Sequence, residues 1–163
     1  SVIPVVDIRA VLAGEVEITP PQNVVVLAGE HHIQALSTAE FLGDKACQVQ
    51  ILTEALYAGA QLEPNVLELI YRRVLNKGVT INPLTAIKMI DGRTVVSENV
   101  ITSEQRIIAD VDMVVASYGG AADNSLYHTM KEKIHSVHLI GDALAPRRLM
   151  DAILDGARVA RLL

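Results

Sequence analysis

The stretch Val24-Val-Val-Leu-Ala-Gly29 decides the fold, because it is a short, mostly β-branched run that ends at a glycine. Such a run is typical of a central strand in a parallel sheet, which is buried on both faces. Residues 34–42 then carry apolar side chains at helical spacing, and residues 48–53 alternate like a second strand. This order and spacing predict a βαβ unit, the building block of dinucleotide-binding folds.

The remaining segments extend this unit in both directions. Residues 7–14 predict one or two helical turns, and residues 19–23 a turn or linker. Pro64 opens an amphipathic helix that Lys77-Gly78 closes. Its side chains expected to point inward are Val66, Leu67, Ile70, Val74 and Leu75. Further strands are predicted at residues 79–81 and 112–117, with an antiparallel meander at residues 86–90, 94–100 and 105–109.

The last third predicts a short helix over residues 125–133, a final strand of the main parallel sheet over residues 137–142, and an amphipathic helix over residues 146–163. The predicted fold class is therefore α/β: a Rossmann-like parallel sheet with flanking helices and a small antiparallel meander.

Composition and charge agree with this class and exclude others. Half of the 163 residues are hydrophobic but 3% are aromatic, so the core must consist of Val, Ile, Leu and Ala. The net charge of -5, with acidic residues spread along the chain, argues against nucleic acid as a partner. A single cysteine, Cys47, predicts a buried structural thiol. Without a long apolar run or a basic leader we expect no membrane partner and a cytoplasmic location.

The first residues indicate a piece of a longer polypeptide. The sequence opens at Ser1 without an initiator methionine and runs at once into a largely apolar segment. We therefore expect a fragment of a larger enzyme that holds no catalytic residue of its own.

A second decisive stretch is Val137-His-Leu-Ile-Gly-Asp-Ala-Leu-Ala-Pro-Arg-Arg148. In the predicted geometry Gly141 lets backbone approach a ligand and Asp142 accepts hydrogen bonds from ligand hydroxyls. The amides of the following helix face a phosphate. Arg147 or Arg148 would contact that phosphate or form a salt bridge at a domain interface, while Gly119-Gly120 is either a close-approach site or a flexible crossover.

This stretch resembles the second flavin-binding fingerprint of flavoproteins with two dinucleotide domains, and most closely the NADH:flavin oxidoreductase family of trimethylamine dehydrogenase and 2,4-dienoyl-CoA reductase-like proteins. In that family a barrel carrying FMN and a four-iron cluster precedes two nucleotide-binding-type domains. The resemblance implies three segments: the end of the first part of a flavin-type domain and a linker (1–22), an inserted pyridine-nucleotide-type domain (23–117) and a return to the flavin-type domain (118–163).

The resemblance also implies the ligand and its site. ADP, or the ADP part of FAD, would bind in this region, while FMN and the iron–sulfur cluster would lie in the upstream barrel. A single cysteine cannot ligate a four-iron cluster, and no metal site is predicted here. The barrel is the expected partner, with a homo-oligomer possible. The predicted cofactor-binding residues are Gly29, Gly119, Gly141, Asp142, Ala145 and Arg147.

The first βα turn departs from the nucleotide-binding pattern Gly-x-Gly-x-x-Gly. The segment Gly29-Glu-His-His-Ile-Gln34 keeps only the first glycine, and Glu30 brings negative charge toward a diphosphate. The inserted domain is therefore predicted to be degenerate for NAD, which leaves a cofactor-free scaffold or oligomer contact as the alternative function. Glu54 would be a ribose-binding acid or a solvated loop residue. His31-His32 is read as a polar loop, and Asp151, Asp155 and Arg158 as surface ion-pair residues.

Overall fold

The computed structural model describes residues 2–162. The chain divides into two compact units, the first ending at Tyr118 and the second beginning at Gly119. A five-stranded parallel sheet with strand order β1-β8-β2-β3-β4 forms the centre of the first unit. Its strands are β1 (Val5–Asp7), β2 (Asn23–Ala28), β3 (Gln48–Leu52), β4 (Thr80–Asn82) and β8 (Met113–Ser117). The predicted fold class is confirmed.

Three helices and a meander complete the first unit. The helices are α1 (Ile8–Leu12), α2 (Gln34–Asp44) and α3 (Pro64–Asn76). The meander is a separate antiparallel sheet of β5 (Thr85–Asp91), β6 (Thr94–Asn99) and β7 (Gln105–Ile108). The predicted βαβ unit is thus β2-α2-β3, with β2 and β3 pairing in parallel from Asn23 opposite Gln48 to Leu27 opposite Leu52.

The alternation of β2 explains why the sheet is covered on both faces. Val24 and Val26 pack with residues of the three helices, while Val25 belongs to a second cluster with Val95 of the meander. All three valines are at most 1% exposed. A continuous run of apolar residues is therefore required, since successive side chains of a strand point to opposite faces.

The inward face of α3 is narrower than predicted. Ile70 and Val74 are buried and Leu67 is partly buried, as expected. Val66 and Leu75 are exposed instead. The helix packs beside α2, where Leu67, Ile70 and Val74 find cover, and the flanking Val66 and Leu75 face solvent.

The segment before β2 lies within the first unit. Strand β1 pairs with β8 in parallel, with Val5 opposite Val114, and the α1 residues Ile8 and Val11 join the core. The assignment of residues 1–22 to the flavin-type domain remains a prediction, as do the other proposed domain boundaries.

The second unit holds α4 (Ser125–Met130), a 3₁₀ turn (Gly141–Ala143) and α5 (Leu149–Ala160). The predicted strand over residues 137–142 is wrong: residues 136–140 have no regular secondary structure and lie outside the main sheet. The stretch has a strand-like sequence, but no described strand runs beside it. A strand needs a neighbouring strand that completes its backbone hydrogen bonds. Without such a neighbour, the strand-like sequence does not form a strand here.

No helix within residues 2–162 combines the length and apolarity needed to cross a bilayer.

Candidate functional site

The first candidate site is the turn between β2 and α2, where a dinucleotide fold places the ligand diphosphate. The amides of Gly29 and Glu30 both donate to the carbonyl oxygen of Ser117, each at 2.9 Å, which ties this turn to the end of β8. The Glu30 carboxylate accepts from the amides of His32 (2.5 Å) and Ala35 (3.0 Å). An anion therefore does lie at the start of α2, but it is a side chain of the protein itself.

The aromatic ring of Tyr118 covers Gly29 in the same turn. A methyl group added at Gly29 would lie 2.1 Å from Cδ1 of Tyr118, so the aromatic ring rests directly on the glycine. Between Leu52, Glu54, Thr85 and Tyr118 a cavity of about 10 Å³ remains, roughly the space of one water molecule. Partial burial, with a smaller contribution from the Glu54 carboxylate, raises the pKa of Tyr118. Glu54 does reach the ligand crevice of the fold, where it lines this small cavity together with the Tyr118 ring, which is 63% exposed.

The second candidate site is the turn that leads into α5. Gly141 adopts a φ of +60°, a left-handed conformation that favours glycine. Its amide donates to Oδ2 of Asp155 at 3.3 Å, and Nη2 of Arg147 lies 2.5 Å from the same oxygen. The Nε of Arg147 also donates to the Ala145 carbonyl at 3.2 Å. The turn is therefore held by one carboxylate, which bonds both its first residue and a residue at its end.

This arrangement corrects one sequence-based prediction. Asp155 is not a surface residue, because it is 7% exposed and binds the turn. Arg147 forms an ion pair with Asp155 within the second unit, and its predicted phosphate contact stays a prediction. Arg148 does begin the helix, and its amide donates to Oδ2 of Asp151 at 3.2 Å. The signal that would have revealed the Asp155 contact is the eight-residue spacing from Arg147, about two helical turns.

Asp142 is the predicted site residue whose side chain stays available. It is exposed, and no hydrogen bond or ion pair joins its carboxylate to another described residue. In the first turn of α5 the Asp151 amide donates to the Arg148 carbonyl at 3.0 Å, and the Asp151 carboxylate accepts from the Arg148 amide. The amides of Leu149 and Met150 have no acceptor within the helix, as is usual for first-turn amides. This corner can thus offer a carboxylate to hydroxyl groups and peptide amides to a phosphate.

The structure brings together four of the six predicted cofactor-binding residues. Gly141, Asp142, Ala145 and Arg147 share the turn before α5, whereas Gly29 lies in the first unit under Tyr118. Gly119 begins the second unit with a φ of +82°. Their role in cofactor binding stays a prediction. Among residues 2–162, no cluster of three or more His, Cys, Asp or Glu side chains is placed to hold a metal ion.

The second unit also has a broad apolar concavity of about 680 Å³. It lies between α4 and the strand-like stretch that precedes Gly141, and its apolar lining comes from Leu126, Tyr127, Met130, Ile134, Leu139 and Ile140. Leu149 and Met150 on α5 are likewise more than 70% exposed. Apolar exposure on this scale is typical of surfaces that bind another segment or protein.

A parallel sheet with a βαβ unit, flanking helices and a small antiparallel meander defines the dinucleotide-binding class of α/β folds. No family model matches the chain. Over 96% of its length it is 26% identical to an N,N-dimethylglycine/sarcosine dehydrogenase of Chromohalobacter salexigens, of which the match covers 27%.

Two solved structures share the fold over almost the whole chain. The histamine dehydrogenase of Rhizobium sp. 4-9 matches 99% of it with a TM-score of 0.88 and 24% identity, over 26% of that enzyme. The 6-hydroxypseudooxynicotine amine oxidase of Pseudomonas geniculata N1 matches 96% with a TM-score of 0.85 and 23% identity, over 25% of that enzyme. The chain thus spans about a quarter of the length of these proteins. Its resemblance to the nucleotide-binding region of the NADH:flavin oxidoreductase family is confirmed.

Proposed function

We propose that this chain is the carboxy-terminal nucleotide-binding region of a flavin-dependent oxidoreductase that dehydrogenates an amine or reduces an enoyl-type substrate. In this proposal residues 23–117 are the inserted pyridine-nucleotide-type domain, and residues 118–163 return to the flavin-type domain. The observation that carries it is the match along 96% of the chain to a quarter-length segment of a protein named as a dehydrogenase of N-methylated amino acids. The division of the structure between Tyr118 and Gly119 supports the second boundary.

The second unit supports a role as one part of a larger domain. Its stretch before Gly141 has the sequence of a buried strand but no neighbouring strand, and its α5 exposes Leu149, Met150 and Ile153. So small a unit cannot bury a full core of its own. An upstream half of the flavin-type domain would supply both the missing strand neighbour and the cover for α5.

The turn before α5 is the proposed adenine-nucleotide site. Asp142 would accept hydrogen bonds from ribose hydroxyls, and the first amides of α5 would face the diphosphate. Arg147 would stay with Asp155 and hold the turn in shape, rather than contact the ligand itself. ADP would have a structural role, whereas FAD would also supply flavin redox chemistry. The substrate chemistry would take place in an upstream barrel that carries FMN and an iron–sulfur cluster.

The test uses the full polypeptide encoded by the gene that contains this sequence. The proposal predicts a cysteine-bearing barrel upstream and a melting temperature that rises with ADP or FAD, since a ligand of the folded state stabilises it. A coding sequence without such a barrel would show that the chain is not part of the proposed oxidoreductase. The absence of any shift with ADP or FAD, and of a co-purified nucleotide, contradicts the binding role.

A scaffold without cofactor is the second candidate function, and one observation favours it for the first unit. The Glu30 carboxylate caps the start of α2 and the Tyr118 ring lies on Gly29, at the place where a dinucleotide would bind. Under this alternative neither unit would respond to ADP, FAD or NADH, and removal of the chain from the full polypeptide would alter assembly or stability alone.

A further inference from the structure

The start of α2 is the position where a dinucleotide fold uses helix amides to bind a diphosphate. Here those amides already have an acceptor. The Glu30 carboxylate accepts from the amide of Ala35 at 3.0 Å through Oε1 and from the amide of His32 at 2.5 Å through Oε2. The Ser117 hydroxyl lies 3.3 Å from Oε1 and adds a third donor from the end of β8. Both carboxylate oxygens are therefore bound.

The residues around this carboxylate agree with its role. In the pattern Gly-x-Gly-x-x-Gly the second and third glycines would stand at His31 and Gln34, where side chains now occupy the space that a diphosphate needs. The helix has no other side-chain cap, since its N-cap residue Ile33 has no polar side chain. The turn thus lacks two of the three glycines of the pattern and carries a carboxylate that accepts from the amides a diphosphate would otherwise bind.

The Tyr118 ring lies over the other half of the crevice, with 63% of the residue exposed on its outer side. Its ring lies on Gly29, the one glycine of the motif that remains, at a distance that leaves no room for even a methyl group on that residue. The adjoining cavity of about 10 Å³ is far too small for a ribose or an adenine ring. The Glu54 carboxylate beside it adds negative charge where the fold would place the ligand.

We propose that the first unit is closed to dinucleotides by its own side chains: the Glu30 carboxylate takes the place of a ligand diphosphate at α2, and the Tyr118 ring covers Gly29. Pyridine nucleotides then exchange no hydride at this domain, and its fold is stable without a ligand. This inference stands apart from the nucleotide site proposed for the second unit, because it concerns other residues and would hold if that site were empty.

Residue-resolved NMR of the isotope-labelled chain tests the closure directly. NADH is added to about 5 mM, a concentration that nearly fills a site with a dissociation constant near 1 mM. The amide signals of Gly29, Glu30, His32 and Ala35 are expected to stay in place. Saturable shifts of these signals would overturn the proposal. Shifts confined to residues 141–147 would concern the second unit alone, so the two proposals fail separately.

A matched pair of variants tests the role of the carboxylate. Glu63 also precedes a helix, α3, but its side chain makes no capping hydrogen bond, so Glu63→Ala removes the same charge from a similar place. Glu30→Ala is expected to lower the melting temperature of the first unit by about 3–8 °C more than Glu63→Ala. Glu30→Gln keeps an acceptor oxygen, so its melting temperature should fall by less. This variant should also fold if the alanine variant does not. Equal melting temperatures for Glu30→Ala, Glu30→Gln and Glu63→Ala would overturn the proposal.

Discussion

Asp155 and Arg147 form an ion pair of 2.5 Å, and the same carboxylate oxygen accepts the amide of Gly141 at 3.3 Å. One nearly buried side chain on α5 thereby fixes both ends of the turn that precedes the helix. Gly141 and Arg147, two of the six residues predicted to bind a cofactor, thus hold the shape of the turn. Asp142, which lies between them in sequence, is exposed and makes no hydrogen bond to another described residue.

Asp155→Ala should loosen this turn. The substitution leaves the Gly141 amide and the Arg147 guanidinium without their acceptor, and Arg147 is 39% exposed, so water compensates in part. We expect a loss of about 1–3 kcal/mol in the local stability of the second unit. Hydrogen exchange at the amides of Gly141 and α5 measures it, since it reports local opening.

Arg148→Ala is the control for this prediction. Its guanidinium lies 3.5 Å from Asp151 in an exposed pair, which contributes little to stability. If Arg148→Ala and Asp155→Ala accelerate hydrogen exchange at the amides of Gly141 and α5 equally, the turn before α5 is not stabilised by Asp155.

Gly29→Ala should destabilise the first unit through Tyr118. The new methyl group would overlap the ring, which must move. Because Tyr118 is 63% exposed, the ring can turn toward solvent, and we expect a cost at the low end of the range of about 1–3 kcal/mol for overpacking. Because the clash involves a single side chain, Tyr118→Ala should remove most of that cost when the two changes are combined. Urea denaturation of the four proteins of this double-mutant cycle gives the coupling. Additive losses would show that the ring does not rest on the glycine.

Asp112 should make the first unit sensitive to acid. The amide of Asn23, which donates to Oδ2 at 2.8 Å, and to a smaller degree Arg93, hold the pKa of Asp112 below its ordinary value of 3.8. A carboxyl with a lowered folded-state pKa contributes stability at higher pH and loses it as the pH falls through that pKa. The urea midpoint should therefore fall between about pH 5 and pH 3 more steeply in the wild type than in Asp112→Asn. Parallel pH profiles would contradict this.

The strands and helices of the first unit could be predicted because their patterns are local. Val24 to Ala28 must be buried on both faces, and Pro64 and Gly78 mark the limits of α3 within two residues. The meander could be predicted from turn residues such as Asp91-Gly92, whose glycine has a φ of +57°.

The predictions that failed depend on contacts between distant positions. The stretch before Gly141 has a strand-like sequence, but no described neighbour completes its hydrogen bonds. Nothing local shows that Tyr118 covers Gly29, since 88 positions separate them along the chain and the parallel pairing of β2 with β8 brings them together. The unfavourable charge of Glu30 could be read from the sequence, whereas the capping contacts that make it favourable could not.

The proposed nucleotide site is tested by the affinity of the full polypeptide for ADP, measured by calorimetry with wild type and Asp142→Ala. We expect one adenine-nucleotide site per chain and a loss of at least about tenfold in affinity in the variant, the value of one charge-assisted hydrogen bond. Glu54→Ala should leave the affinity unchanged, because Glu54 belongs to the closed crevice of the first unit. If ADP binds equally to wild type and Asp142→Ala, or no longer binds to Glu54→Ala, the nucleotide site is not the turn before α5.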